Sequence, residues 1–369
     1  MEDEPGAITD QPGDPFERFV VLVLAVLLAV LLGWLLNIGK SLLLPIFIAV
    51  MSIYVLVGAS AWLGRLPVIG RAPEWTRRLI VLAGFLAGVL LLLWVVLSTG
   101  TQLAERAPVY QKNLRILLDH VAATIGLGHV PDWDVLSSRL YAAIDLQALA
   151  VAALGSVSAF LGVTVMVVIY AMFLMGERGG FARKIATALP GRSAAQTHAI
   201  VRDINQSIGD YLAVKTLISI ILGVLSYIAL AIVGVDFALF WAVMIGLLHF
   251  IPYVGSMLGI VLPVLLTMAQ FGSLSTTLIV TALLAATQAF VGNLLEPKMV
   301  GHKVNMSPFV VVVALAFWSS IWGIPGAILA IPLTSIMAIV FGSFAHTRPL
   351  AVLLADDVSV FEQTTGDER

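Results

Sequence analysis

A carboxylate set directly before a proline, in the densest polar connection between two apolar segments, is a residue of this sequence well placed to do chemistry. It lies in the connection Asn293-Leu-Leu-Glu296-Pro297-Lys298-Met-Val-Gly301-His302-Lys303-Val-Asn305-Met-Ser307-Pro308. Ionisable groups at membrane depth are costly, so each is a functional candidate by default. Pro297 crowds the residue before it, which predicts that Glu296 leaves helical geometry there. Its carboxylate could then take a proton, a Na⁺ ion or a substrate hydroxyl. The competing reading pairs Glu296 with Lys298 or has it cap the next segment.

Two further polar residues interrupt apolar runs. Lys215 falls one turn into a long apolar stretch, after Asp210 and Tyr211. Either it snorkels to the cytosolic surface, or it is a fixed cation for an anionic or polyhydroxylated solute. His249 stands four residues before Tyr253. It is either a hydrogen-bonded packing residue or a proton-coupling group, since imidazole ordinarily titrates near neutral pH. Asp236, in a turn, reads most simply as a helix N-cap.

The elements that must position these groups are two similar apolar segments, 236–270 and 308–343. Each has two short arms around a Pro/Gly break: Ile251-Pro252-Tyr253-Val254-Gly255 in the first, Trp322-Gly323-Ile324-Pro325-Gly326 in the second. An arm of roughly 15 residues is too short for a hydrocarbon core that needs about 20 helical residues. Re-entrant helical hairpins are therefore expected. Setting Pro263 against Pro332 brings Tyr253 opposite Trp322 and Met268-Ala269 opposite Met337-Ala338. The breaks at Pro252, Gly255, Gly323, Pro325 and Gly326 free backbone groups that only protein or a polar cavity can satisfy. Helix N-termini at such tips favour a neutral polar or anionic solute. Paired broken segments are the sequence mark of a secondary transporter's binding site.

Composition sets the class. Sixty per cent of residues are hydrophobic and 11% charged, against about 25% charged in soluble domains, and mean hydropathy is +1.02. This is the profile of an all-α polytopic membrane protein with membrane lipid as its surroundings. The formal net charge of −2 and scattered basic residues point to no nucleic-acid partner. The absence of cysteine excludes disulfides, thiolate metal sites and cysteine catalysis.

Along the chain, residues 1–18 read as a disordered acidic cytosolic tail, and 19–99 as three transmembrane helices. A tight turn is expected at Asn37-Ile38-Gly39-Lys40. Residues 100–150 form a polar extracytoplasmic insertion, with Leu114, Leu117, Leu118 and Val121 at helical spacing. A fourth span covers 151–176. Residues 177–210 form a cytoplasmic or interfacial segment whose stripe Ile200, Ile204, Ile208 continues into the fifth span. Residues 211–270 hold a spanning helix plus the first hairpin, 274–343 a spanning helix plus the second, and 344–369 a cytosolic tail. Eight apolar elements result.

Orientation follows from charge. Arg65, Arg71, Arg77 and Arg78 mark one loop as cytoplasmic, and Arg178, Arg183, Lys184, Arg192 and Arg202 another. Both termini are then inside, and the two helix-plus-hairpin units point opposite ways, an inverted repeat.

Enzyme classes find no foothold. There is no HExxH, no Gly-x-Ser-x-Gly elbow and no phosphate-binding Gly-x4-Gly-Lys-Ser/Thr loop. No catalytic residue, metal or cofactor is assigned. A non-transporting membrane scaffold is the bland alternative to a transporter, and the polar demand of the hairpin tips argues against it.

The runs Phe250-Ile-Pro-Tyr-Val-Gly255, Gly292-Asn293-Leu-Leu-Glu296-Pro297-Lys-Met-Val-Gly301 and Gly323-Ile-Pro-Gly326-Ala-Ile-Leu-Ala-Ile-Pro332 together resemble the autoinducer-2 exporter family of bacterial permease-like proteins. The resemblance covers nearly the whole chain. Many members have proline at the position of Ser256 and glutamine at that of Lys215; Ala213-Val-Lys215-Thr216 with Gly255-Ser256 is similar to the branch holding the named exporter. The resemblance implies a bacterial inner-membrane homo-oligomer that exports a small polar solute, such as autoinducer-2 or a similar hydroxylated metabolite. It also implies the alternative of Na⁺(Li⁺)/H⁺ antiport, with coupling to H⁺ or Na⁺.

Overall fold

Long uninterrupted apolar runs with serine or proline at their starts form helices, and every regular element of the described chain is helical. The computed structural model describes residues 15–65, 73–125, 161–174, 176, 184, 187–188, 191–300 and 305–359. The expected tail before residue 15, the insertion from 126 to 150, and Gly301, His302 and Lys303 of the polar connection lie outside the described residues.

The helices are α1 (Pro15–Ile38), α2 (Lys40–Leu63), α3 (Glu74–Ile125), α4 (Leu161–Leu174), α5 (Gly191–Val233), α6 (Ala238–Leu248), α7 (Val254–Phe271), α8 (Leu274–Phe290), α9 (Glu296–Val300), α10 (Pro308–Gly342) and α11 (Arg348–Leu354). Seven helices among the described residues are long and apolar enough to cross a membrane. The chain is an all-α, multi-pass membrane protein.

Local chemistry sets several boundaries. Ser273 caps α8 by accepting from the Thr276 N–H at 3.4 Å, and Ser307 caps α10 by accepting from Val310 N–H at 3.3 Å, with Pro308 in the first turn. Where a tight turn was expected at 37–40, only Gly39 separates α1 from α2. Its N–H donates to Leu35 O and its own carbonyl accepts from Leu43 N–H, each at 2.8 Å. Helical hydrogen bonding brackets the junction, because Gly39 keeps a near-helical φ of −75°. No structural break falls near residue 100 either: α3 runs unbroken for 52 residues.

Both Pro/Gly segments fold back on themselves. In the second, Gly323 has φ 65° and ψ −142°, outside the helical region, a conformation that a residue without a Cβ adopts readily. The Trp318 indole Nε1 then donates to Thr334 Oγ1 at 3.0 Å across 16 residues. In the first, a Cβ on Gly259 would touch Ile245 at 3.5 Å. The same device closes both tips. A Cβ on Gly255 would strike the Leu248 carbonyl oxygen, and one on Gly326 that of Trp318. Tyr253 and Trp322, which correspond when the two segments are aligned, have different surroundings. Tyr253 is 58% exposed, whereas Trp322 is buried and donates to Leu36 O at 3.0 Å.

Two hydrophobic clusters meet along α5. Ile208, Tyr211 and Leu212 pack with Met51 of α2 and with Trp318, Trp322, Leu329 and Leu333 of α10. Ile218, Leu222 and Leu230 pack with Ile245 of α6, Val280 and Leu284 of α8, and Val291. Lys215 falls in the polar gap between them.

Asp236 does not cap α6. That helix starts from Phe237, in a left-handed conformation with no side-chain cap. The Asp236 carboxylate is taken instead by α3, where Arg106 Nη1 and the Tyr110 hydroxyl (2.7 Å) both donate to it. Asn113 of α3 donates to the Gln270 carbonyl, and Gln270 Oε1 accepts from Asp236 N–H at 2.7 Å. The far half of α3 thus clamps the base of the first hairpin.

Candidate functional site

Three ionisable side chains from distant parts of the chain converge in the gap on α5. Lys215 Nζ lies 2.5 Å from Glu296 Oε1 and 3.3 Å from His249 Nε2, and His249 Nε2 lies 3.6 Å from Glu296 Oε2. Burial orders them: the Lys215 side chain is 6% exposed, that of Glu296 29%. The expected snorkelling of Lys215 is therefore overturned. The two clusters seal α5 on either side of it, and the carboxylate supplies the counter-charge that bulk water would have provided. Glu296 accordingly takes Lys215 as its partner rather than Lys298.

Hydrogen-bonding roles follow from the donor inventory. An ammonium donates only, so His249 Nε2 must accept from Lys215, which puts the imidazole proton on Nδ1. In this arrangement Lys215 and Glu296 cancel in charge and His249 is the ammonium's second acceptor.

Glu296 does not leave helical geometry. Its φ of −62° and ψ of −49° are helical, and its N–H donates to Val291 O. The cause is a π-helical turn over Val291–Leu295. That wide turn resets the hydrogen-bond register, so Pro297 falls in the first turn of α9, where no donor is required of it. Such turns are frequent at functional sites.

The triad opens on a cavity of about 550 Å³. Its polar wall is Tyr211 and Lys215 from α5, His249 and Ser256 from the first hairpin, and Gln288, Asn293 and Glu296 from α8 and its continuation. Ile251, Met306, Val311 and Ile331 supply apolar surface. Pro252 and Tyr253 form the rim at the first tip. Tyr253 has φ 59° without being glycine, a conformation that costs roughly 1–3 kcal/mol and clusters at ligand sites.

Of the candidates from sequence, Lys215, His249, Pro252, Tyr253, Asn293 and Glu296 line this one cavity. Gly255 stands just behind the wall, buried against Leu248. Pro297 lies beyond it on α9 and is exposed. Gly323, Pro325 and Gly326 sit at the second tip, and it is the arms of that segment, through Val311 and Ile331, that reach the cavity. Tyr211 and Gln288 were not foreseen. Spacing held the signal: Tyr211 is four residues before Lys215, and Gln288, Gly292 and Glu296 recur at intervals of four. Among the described residues no cluster of His, Asp and Glu could hold a metal ion.

Comparison with known proteins agrees with the all-helical transporter-like layout. The family described as AI-2E family transporter matches residues 21–345. A Borreliella burgdorferi protein named for transport, without a stated substrate, is 30% identical over 69% of each chain. The AI-2 transport protein TqsA of Escherichia coli is 34% identical over 48% of this chain and 50% of its own. YrrI of Bacillus subtilis, also named for transport, is 27% identical over 84% of this chain and 88% of its own.

Proposed function

Because this chain belongs to the AI-2E family of membrane transporters, we propose that it is a secondary exporter of a small polar solute and that the solute binds in the cavity beside Glu296. Autoinducer-2 or a similar hydroxylated metabolite is the substrate class. The observation that carries this reading is the lining: a carboxylate, two amides, a serine and two phenols facing one space, with apolar surface between them. A volume of about 550 Å³ lies within the roughly 300–1,000 Å³ of small-molecule sites. Hydroxyl-rich solutes need many donors and acceptors and little net charge, and the paired Lys215 and Glu296 leave the site neutral. The name of TqsA makes autoinducer-2 the first probe.

The same reading sets the protein in the bacterial inner membrane as a homo-oligomer with both termini cytoplasmic. The two folded-back segments are its re-entrant hairpins, entering from opposite faces.

A second reading, monovalent cation/proton antiport, draws on the presence of a carboxylate and an imidazole in one cavity. Inverted membrane vesicles separate the two. Saturable uptake of autoinducer-2 that is lost in Glu296→Gln supports the exporter. Dissipation of a pH gradient by added Na⁺ or Li⁺, with no autoinducer-2 uptake, would replace it with the antiporter.

A further inference from the structure

We propose that the Lys215 ammonium is a tethered cation occupying a monovalent-cation site on Glu296, so that the native protein needs no sodium at this carboxylate and removing the ammonium creates a site that Na⁺ or Li⁺ fills. The flux arm of the test rests on the exporter reading above; the binding arm does not.

The argument is one of charge and position. The ammonium is the buried partner, set between the two hydrophobic clusters on α5, and the carboxylate beside it faces the cavity with that positive charge already in place. Here the partner is covalently attached: Nζ is within hydrogen-bond reach of Oε1, as a charge-assisted donor. Lys215 and Glu296 both belong to the cavity wall, and Lys215 is the more deeply buried of the two. The opposite carboxylate oxygen and the cavity's amides remain available to a solute. His249 Nε2 at 3.3 Å is the ammonium's second acceptor and holds it in place. An ammonium and a sodium ion deliver the same charge to the same oxygen. They differ in that the lysine cannot leave. A site built in this way neutralises its carboxylate permanently and does not spend a gradient to do so.

Truncation converts the fixed ion into an exchangeable one. In Lys215→Met the carboxylate keeps both of its oxygens as ligands and the cavity keeps further oxygens at Asn293, Gln288 and Ser256. Oxygen-rich surroundings suit Na⁺ and Li⁺, and the cavity gives access. Lys215→Gln serves as the second variant, because it retains length and polarity without charge.

The test uses purified full-length protein in NaCl, LiCl or choline chloride at matched ionic strength. Thermal unfolding of the native protein should be the same in all three. Unfolding of Lys215→Met and Lys215→Gln should rise by about 2 °C in 100 mM NaCl or LiCl over choline, as expected of a ligand at about ten times its Kd. The rise should vanish when Glu296→Gln is added. In proteoliposomes, autoinducer-2 flux of the native protein should be indifferent to sodium, and that of the variants should fall about tenfold in choline and recover with sodium. Sodium stabilisation of the native protein overturns the proposal. So does the absence of a cation response in both variants, or failure of both to fold in sodium buffer, where the ion should stand in for the lost charge. Cation-dependent stability without autoinducer-2 flux in any form would uphold the tethered cation and remove the exporter reading.

Discussion

Trp318 Nε1 and Thr334 Oγ1 meet at 3.0 Å although 16 residues separate them, so the two arms of α10 are fastened to each other by a buried hydrogen bond. Sixteen residues of straight helix would hold these groups about 24 Å apart. Thr334→Val removes the acceptor and leaves the indole N–H unsatisfied in the Trp318–Trp322–Phe47 aromatic stack. The expected loss is about 1–3 kcal/mol, read as a lower unfolding midpoint in mild detergent. Trp318→Phe with Thr334→Val should lose less than the two single changes summed.

Gly255 and Gly326 should respond alike to one added methyl group. Each faces a backbone carbonyl of the opposing arm, which cannot step aside as a side-chain tip would. Gly255→Ala and Gly326→Ala are each expected to cost at least about 1–3 kcal/mol. Gly292→Ala, at a glycine with nothing within 4 Å of its Cβ position, should be close to neutral. Equal thermal stability of all three variants would remove the tight-tip account.

Glu296→Gln should leave a folded, monodisperse protein with autoinducer-2 flux lost in inverted vesicles. The amide keeps one acceptor for Lys215 but cancels the neutrality of the pair. Normal flux with an unchanged pH profile in well-folded variant protein would turn attention from the carboxylate to the hairpin tips.

The clamp between α3 and Asp236 is predicted to be weak thermodynamically. Arg106 is half exposed, and exposed ion pairs contribute about 0–1 kcal/mol. Arg106→Ala should shift unfolding slightly, whereas Tyr110→Phe, whose hydroxyl bonds the same carboxylate at 2.7 Å from a buried ring, should cost more. A thermal-shift comparison of the two variants decides the order.

A chain without cysteine offers a clean background for topology. Single cysteines at Ser256 and Ser320 should differ in access to a membrane-impermeant thiol reagent. Labelling at Ser256, which lines the cavity, should slow when autoinducer-2 is present. Free labelling of the 270–273 loop from the cytosolic side would sink the proposed opposite entry of the two hairpins.

Sequence reading reached the helices because hydropathy, Pro/Gly breaks and capping serines are local signals. It reached Lys215, His249 and Glu296 because an ionisable group in an apolar run stands out by itself. It missed who pairs with whom. Lys298 is two residues from Glu296 and Lys215 is 81 away, and only the fold makes the distant one nearer. Asp236 is a similar case: a turn aspartate looks like a cap until Arg106, 130 residues earlier, is delivered to it by α3. The π-helical turn was invisible for another reason. Pro297 announces a disruption but not its form, and the register shift that keeps Glu296 helical starts at Val291, buried in a cluster drawn from distant parts of the chain.

The 52 residues of α3 amount to about 78 Å of helix, against a hydrocarbon layer of about 30 Å. That length is more than twice the thickness of the layer, with Pro108 inside the helix. Its footing on the first hairpin, at Arg106, Tyr110 and Asn113, lies about 48–58 Å from its start by the same rise. A helix held at that distance is a lever. A sideways displacement of α3 reaches the base of the first hairpin as torque, and that hairpin carries His249 at its other end.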